Sequence, residues 1–371
     1  MLDTRGPTRR GVLLGLAGAA AASSAAIGQP ASTPLRTIAA ERGLVYGSAL
    51  PVSTLDDAAH TALLARECAV LVATNDMKWD HLAPTQGTYD FRAADRLMEF
   101  AKRHDMAVRG HTLLWHRSMP RWLTSAVSAA EMERLIETHA TTVVGRYAGR
   151  IKSWDVVNEA IDPVISGRPD GLRGSLFLAR LGEAYIDRAY RAARAADPAC
   201  ELVYNDYGVE HEWVSQIQKR REKVLDLLKR LLGRGVPLDA FGVQGHLATR
   251  EAFDGDVWLR WLEQVRGLGL RILVTELDVT DSNTPKDIPK RDAEVAALYK
   301  EFLTATLACK AVTGVITWGI SDRHSWVVDG VEAKHRRSDG APPRPLPYDK
   351  DLVPKPAHAA LAGALAAAPK R

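Results

Sequence analysis

Two glutamates that end aliphatic runs are the residues of this chain best placed to do chemistry as a pair. Glu159 closes Trp154-Asp155-Val156-Val157-Asn158-Glu159, and Glu276 sits in Ile272-Leu273-Val274-Thr275-Glu276-Leu277-Asp278. Read alone, Asn158-Glu159 is a capping pair that starts the next helix. Set beside a second aliphatic run closing on acids, it becomes one of two carboxylates at strand ends. Such a pair is what hydrolysis of a glycosidic bond requires: one carboxyl protonates the leaving oxygen, and the other attacks or activates water.

Positioning those acids takes strands that are covered on both faces, because such strands read as continuous apolar runs. Runs of this kind lie at Leu44–Leu50, Ala69–Ala73, Met106–His111, Ile151–Val157, Glu201–Tyr204, Ala240–Gly245, Arg271–Thr275 and Val312–Trp318. Helical spacing falls between most of them, at Asp56–Glu67, Asp90–His104, Glu131–Val144, Leu178–Ala196, Val257–Leu268 and Asp292–Ala308. Ile217, Val224, Leu228 and Leu231 stripe another helix, and Lys219, Arg220, Arg221, Glu222 and Lys223 read as its solvated face. Eight strands with helices between them predict an α/β fold, a single (β/α)8 TIM barrel. The alternative, an open doubly wound sheet, would carry a glycine-rich phosphate turn, and none is present. Asp329–Pro347, rich in Gly, Pro and basic residues, reads as a long loop after strand 8 that frames the site.

In such a barrel the C-terminal strand ends make the active face. Polar and aromatic residues gather there: Asn75 and Lys78 after strand 2, His111 and Trp115 after strand 3, Asn158 and Glu159 after strand 4, Asn205 and Tyr207 after strand 5. Gln244 and His246 follow strand 6, Glu276 and Asp278 strand 7, and Trp318 and Trp326 strand 8. Asn205 with Tyr207, Gln244 with His246, and Glu276 with Asp278 stand two apart, so each pair projects to one side while its strand persists. Singly, Trp318 reads as core and His111 as a satisfied buried histidine; convergence is what makes them a site. His111 and His116, five apart on a strand, point to opposite faces, and no metal centre is expected. Trp79, Asp80, His81 and His324 read as structural.

Asn75-Asp76-Met77-Lys78-Trp79, Gly110-His111-Thr112-Leu113-Leu114-Trp115-His116, Trp154 to Glu159, Asn205-Asp206-Tyr207, Gln244-Gly245-His246-Leu247, Thr275-Glu276-Leu277-Asp278 and Trp318-Gly319-Ile320-Ser321-Asp322 closely resemble glycoside hydrolase family 10, the retaining endo-β-1,4-xylanases. The resemblance runs in order from about Gly43 to His358. It implies that Glu159 is the general acid/base and Glu276 the nucleophile, with His246 orienting Glu276 and Asp278 holding His246. It implies that Asn158 bonds the sugar 2-hydroxyl, and that Asn75, Lys78, His111, Trp115 and Gln244 contact the glycone. Trp318 and Trp326 would be an aromatic floor and wall, and Tyr207 a stacking face for the aglycone. The substrate implied is xylan or a xylooligosaccharide, with no cofactor. One position departs from the pattern: Thr74 stands where the family usually carries Glu. A lost charge-assisted hydrogen bond there is worth roughly 1.5–3 kcal/mol of glycone binding.

The rest of the sequence bounds this reading. With 371 residues, 46% hydrophobic and 25% charged, the chain can bury a large core. Its net charge of +4 is small, and much of the excess lies at the N-terminus and in Lys334–Arg344 rather than along one helix, which argues against a nucleic-acid partner. Thr8-Arg9-Arg10-Gly11-Val12-Leu13-Leu14 and the apolar run to Ile27 read as a twin-arginine-type signal peptide over residues 1–30, leaving 31–371 as the catalytic barrel. An exported monomer, periplasmic or extracellular and free of the membrane once its leader is removed, is the expectation. Cys68, Cys200 and Cys309 are too few and too far apart for a metal motif or a disulfide framework. Two rivals remain: a related barrel glycosidase acting on another β-1,4-linked glycan or on short xylooligosaccharides, and a non-catalytic carbohydrate-binding barrel. A regular pleat would point Asn158 and Glu159 to opposite faces, so the backbone must leave strand geometry at one of them.

Overall fold

Continuous apolar runs fold here as the staves of a closed barrel. In a computed structural model, residues 33–211, 214–328 and 335–371 are described together with Met1, residues 214–217 by backbone alone. The leader expected over residues 1–30 lies outside them apart from Met1, as do residues 329–334 of the loop after strand 8. The strands are β1 (Val45–Leu50), β2 (Val70–Ala73), β3 (Ala107–Gly110), β4 (Ile151–Asn158), β5 (Glu201–Asp206), β6 (Ala240–Val243), β7 (Arg271–Thr280) and β8 (Val312–Thr317). Each pairs in parallel with the next, and β8 returns to β1 with Val45 opposite Gly314 and Ser48 opposite Thr317. This is the expected (β/α)8 barrel.

Ten helices accompany the strands among the described residues: α1 (Leu35–Ala40), α2 (Ala58–Glu67), α3 (Arg92–Arg103), α4 (Ala129–Arg146), α5 (Leu176–Leu181), α6 (Ala184–Ala196), α7 (Val214–Gly233), α8 (Gly255–Gly267), α9 (Ile288–Ala308) and α10 (Pro356–Ala367). A single helical turn at Trp79–Leu82 adds to them. Side-chain oxygens satisfy the free amides at several starts. Asp57 accepts from Ala59 and His60 at α2, Ser128 from Glu131 at α4, and Asp254 from Asp256 and Val257 at α8. The single helix expected over Leu178–Ala196 divides at Gly182 into α5 and α6.

The charge run on α7 corrects an expectation. Arg220 and Arg221 are buried rather than solvated. Arg220 donates to the Ile161 carbonyl at 2.6 Å and Arg221 to the Val209 carbonyl at 2.6 Å, so both turn inward to satisfy loop carbonyls that have left the sheet.

Two short strands continue past breaks in the barrel: Leu114–Trp115 pairs with β4, and His246–Ala248 pairs with β7. The second break is made at Gly245, whose φ of 76° is open to glycine at no steric cost. Gln244 and His246 flank that kink, and both border the mouth. β4 and β7 carry register shifts of their own, between Asp155 and Val157 and opposite Val315–Thr317. An extra residue in a strand re-aims the side chains that follow it. Pro34–Arg371 forms one compact unit around this frame.

Candidate active site

The ends of the staves line a cleft of about 980 Å³. Asn75, Lys78, His111, Trp115, Asn158, Glu159, Tyr207, Gln244, His246, Glu276, Trp318 and Trp326 all border it. Asp278 stands one layer back, bonded to His246. Asp80, His81 and His324, read from sequence as structural, line the wall as well, whereas Trp79 is buried against the His139 ring at 4.2 Å. Asp80 and His81 stand beyond the strand end on a one-turn helix, where strand alternation gives no guide to direction.

Glu159 is where the backbone leaves strand geometry. Its φ of 58° is rare for a residue with a Cβ and costs on the order of 1–3 kcal/mol. Its amide still donates to the Asn205 carbonyl at 2.9 Å, so the turn happens against β5. With that turn, Asn158 and Glu159 share one cleft, as the adjacency demanded.

A chain of amides joins the two carboxylates. Gln244 Nε2 donates to Glu159 Oε1 at 3.1 Å and to Asn158 Oδ1 at 3.3 Å. Asn205 Nδ2 reaches Asn158 Oδ1 at 2.9 Å and Glu276 Oε1 at 2.6 Å, while Thr275 Oγ1 donates to Asn205 Oδ1 at 2.7 Å. Each amide is thereby fixed in orientation and cannot swing away from its carboxylate.

The environments at the two ends differ. Around Glu276, His246 Nε2 lies 3.3 Å from Oε2, and His246 Nδ1 lies 3.0 Å from Asp278 Oδ1. Trp326 Nε1 donates to Asp278 Oδ2 at 2.7 Å and completes the relay. Burial opposes charge on His246, but the Asp278 and Glu276 carboxylates outweigh it and push the ring up to about 10. Burial likewise opposes charge on Glu276; the His111 and His246 rings and the Asn205 amide overcome it and bring the carboxyl down to about 2. Glu159, in contrast, accepts from the neutral amides of Gln244 and Asn158 and has no ion-pair partner among the described residues.

On the opposite wall, Lys78 Nζ donates to Asn75 Oδ1 at 2.8 Å and lies 4.5 Å from the Trp115 ring centre. Burial lowers its pKa against the pull of Glu276, Asp80 and Glu159. Thr74 Oγ1 and Trp115 Nε1, both buried at the cleft, have no hydrogen-bond partner among the described residues. His111 leans on Asp155 at 2.9 Å, which the Arg109 fork also grips, and stands edge-on to Trp318 at 5.2 Å. Tyr207 is framed by cations: Arg173 Nη2 donates to its hydroxyl at 3.0 Å, and Arg220 lies 4.7 Å from its ring centre. Asp206 beneath them is pushed up to about 6 by burial, against Arg220 and Tyr204.

Thr275, Arg173 and Arg220 thus belong to the site without having been singled out as such, and Asn205, gathered there with the strand ends, takes a role that its sequence position did not assign. Asn205 was visible as a polar strand end; Arg173 sits in an irregular loop and had no signal in spacing. Among the described residues no group of three or more His, Cys, Asp or Glu side chains could hold a metal ion, and no helix is long and apolar enough to cross a membrane.

Known proteins bear on this geometry. The chain is 32% identical over 324 residues to endo-1,4-beta-xylanase 3 of Hypocrea jecorina, covering 87% of this chain and 82% of that one. It is 34% identical over 334 residues to endo-1,4-beta-xylanase B of Thermotoga neapolitana, covering 88% and 90%. The fold superposes on xylanase 10B of Thermotoga petrophila in complex with xylobiose with a TM-score of 0.81 at 31% identity, covering 91% of this chain and 98% of that one. The sequence profile of glycosyl hydrolase family 10 matches residues 34–364, which takes in every stave of the barrel and both cleft glutamates: the chain belongs to glycosyl hydrolase family 10.

Proposed function

We propose that the protein is an endo-1,4-β-xylanase that cuts internal β-1,4 bonds of xylan with net retention. The relatives named as xylanases and the neighbour crystallised with xylobiose support the substrate class. The observation that carries the mechanism is the unlike setting of two carboxyls wired to one amide chain: Glu276 is held ionised by His111, His246 and Asn205, while the side-chain hydrogen bonds that Glu159 accepts from described residues come from the neutral amides of Gln244 and Asn158.

In the first step a Glu276 oxygen attacks the anomeric carbon as the glycosidic C–O bond breaks, and the Glu159 proton passes to the departing oxygen. In the second, Glu159 takes a proton from water, whose oxygen bonds the anomeric carbon and releases Glu276. Asn158, fixed through its Oδ1 by two amides, offers Nδ2 to the sugar 2-hydroxyl. Asn75, Lys78, His111, Trp115 and Gln244 receive the glycone, Trp318 and Trp326 form floor and wall, and Tyr207 borders the leaving sugar. Carboxyls about 5–5.5 Å apart are what a retaining site needs. The leader pattern favours export, which suits a polymeric substrate.

The test is a product profile on xylan, cellulose and mixed-linkage glucan, with the first-formed anomer followed by proton NMR. Release of short β-anomeric xylooligosaccharides supports the proposal, and no release from xylan would sink it. The buried Thr74 hydroxyl, without a hydrogen-bond partner among the described residues, favours a second outcome, preference for another β-1,4-glycan, which the same profile reads directly.

A further inference from the structure

Arg173 reaches back across fourteen residues to the main chain of Glu159. The loop that brings it there is short and paired: Ile161 bridges Leu172, the Arg173 amide donates to the Ala160 carbonyl at 2.7 Å, and the Asp162 amide to the Gly171 carbonyl at 2.8 Å. Its guanidinium then meets four acceptors. Nε donates to the Glu159 carbonyl at 2.8 Å, Nη1 to Asp162 Oδ2 at 2.8 Å, and Nη2 to the Tyr207 hydroxyl at 3.0 Å and the Ile161 carbonyl at 3.3 Å.

This fork closes a gap in what holds Glu159. The left-handed backbone at φ 58° is unfavourable by itself, and it must be imposed from both sides. On the amide side the Asn205 carbonyl does so at 2.9 Å; on the carbonyl side the bond comes from Arg173. The same planar group holds the Tyr207 hydroxyl, so one rigid body ties the Glu159 peptide to a ring that borders the cleft. A lysine has no fork and cannot serve both ends at once.

We propose that Arg173 is a positioning residue for proton donation: it fixes the Glu159 peptide so that the carboxyl meets the glycosidic oxygen, and couples that carboxyl to the Tyr207 ring beside the leaving sugar. The inference rests on the assignment of Glu159 as acid/base. Its signature is dependence on the leaving group, since a departing phenolate of low basicity needs no proton while a sugar alkoxide does.

Arg173→Met should lower kcat/KM on xylotetraose by about 30-fold but on 2,4-dinitrophenyl β-xylobioside by less than about threefold, because general-acid help of roughly 10²–10⁴-fold matters only for the poor leaving group. Arg173→Lys should fall between wild type and Arg173→Met on xylotetraose. Tyr207→Phe, which removes only the hydroxyl arm, should lose less than Arg173→Met with the same leaving-group bias. Equal losses on the two substrates, or losses that merely follow the folded fraction measured by circular dichroism, would overturn the proposal. Should Arg173→Met not fold, the lysine and phenylalanine variants carry the same comparison. A wild-type protein that cleaves neither substrate refutes the proposed activity; one that cleaves both, with variants that show no bias, refutes only the role of Arg173.

Discussion

Glu276 is a buried carboxyl kept charged by its neighbours, and this governs how the protein should respond to pH. Its value near 2 lies below the ordinary 4.5, so it contributes stability above about pH 4.5 that is lost as pH falls toward 2. His246, raised from 6.5 to about 10, contributes stability in full below pH 6.5 that is lost as pH rises through 10. The pair is therefore fully stabilising between these limits. His246→Asn removes one of the groups that keep Glu276 ionised, so the acid limb of the kcat/KM profile should move to higher pH; a profile that stays in place would contradict the relay. Glu276→Ala should abolish hydrolysis while xylooligosaccharide binding stays measurable by calorimetry, and surviving activity on xylan would show that another group attacks. Glu159→Ala should cost roughly 10²–10⁴-fold in kcat/KM on xylan, the usual worth of a general acid. The residues that line the cleft were legible because strand ends concentrate polar side chains that packing does not need. Asn205 as the donor to Asn158 and Glu276 was not, since a polar residue at a strand end equally suits a cap, and its partners are set by β4 and β7 rather than by its own neighbours.

Strands do more here than hold residues in line. β4 departs from regular register just ahead of Glu159, and β7 does so across the stretch from Val274 to Leu277 that contains Glu276, so both acids stand at local irregularity rather than in an unbroken pleat. The adjacency of Asn158 and Glu159 required a break of this kind, and the sequence located it to within one residue. It held no trace of the bulges, because an added residue in an apolar run leaves the run apolar. Close approach imposes a second demand on β3. A Cβ on Gly110 would lie 2.1 Å from the Trp154 ring of β4, so the indole occupies the space a side chain would need. Gly110→Ala should destabilise by about 1–3 kcal/mol, as overpacking does, and lower the thermal midpoint measured by calorimetry. An unchanged midpoint would mean that Trp154 can move aside. The α7 charge run misled for a related reason: helical periodicity assigns a face but cannot see that loop carbonyls of Val209 and Ile161 are waiting there for Arg221 and Arg220.

The barrel joins residues far apart in sequence, since β1 and β8 share an edge and the segments at both ends of the compact unit brace it. Arg371 donates to carbonyls of Val312, Leu307 and Cys309, and its own amide donates to the Arg42 carbonyl, so it links the approach to β8 with the approach to β1. Leu361 and Leu365 of α10 are fully buried in the same core as Leu35 of α1. Leu361→Ala should cost about 2–5 kcal/mol in chemical denaturation, the usual worth of a buried leucine, although it is remote from the cleft. A loss under 1 kcal/mol would mean that α10 is a loosely held appendage. Eight staves and their order could be read from apolar runs alone. The bracing helices could not: α10 is mostly alanine, with little polar face to set a period, and α1 is only six residues long.

Cys68, Cys200 and Cys309 are all buried and free, and each stands just ahead of a stave: β2, β5 and β8. Burial raises all three thiols above their ordinary range, Cys200 to about 12, so the reactive thiolate is scarce as well as enclosed. The barrel therefore carries three internal clocks. Pulse alkylation read by mass spectrometry should find the three sites modified at one common rate if the ring opens as a whole, and at separate rates if individual staves peel away first.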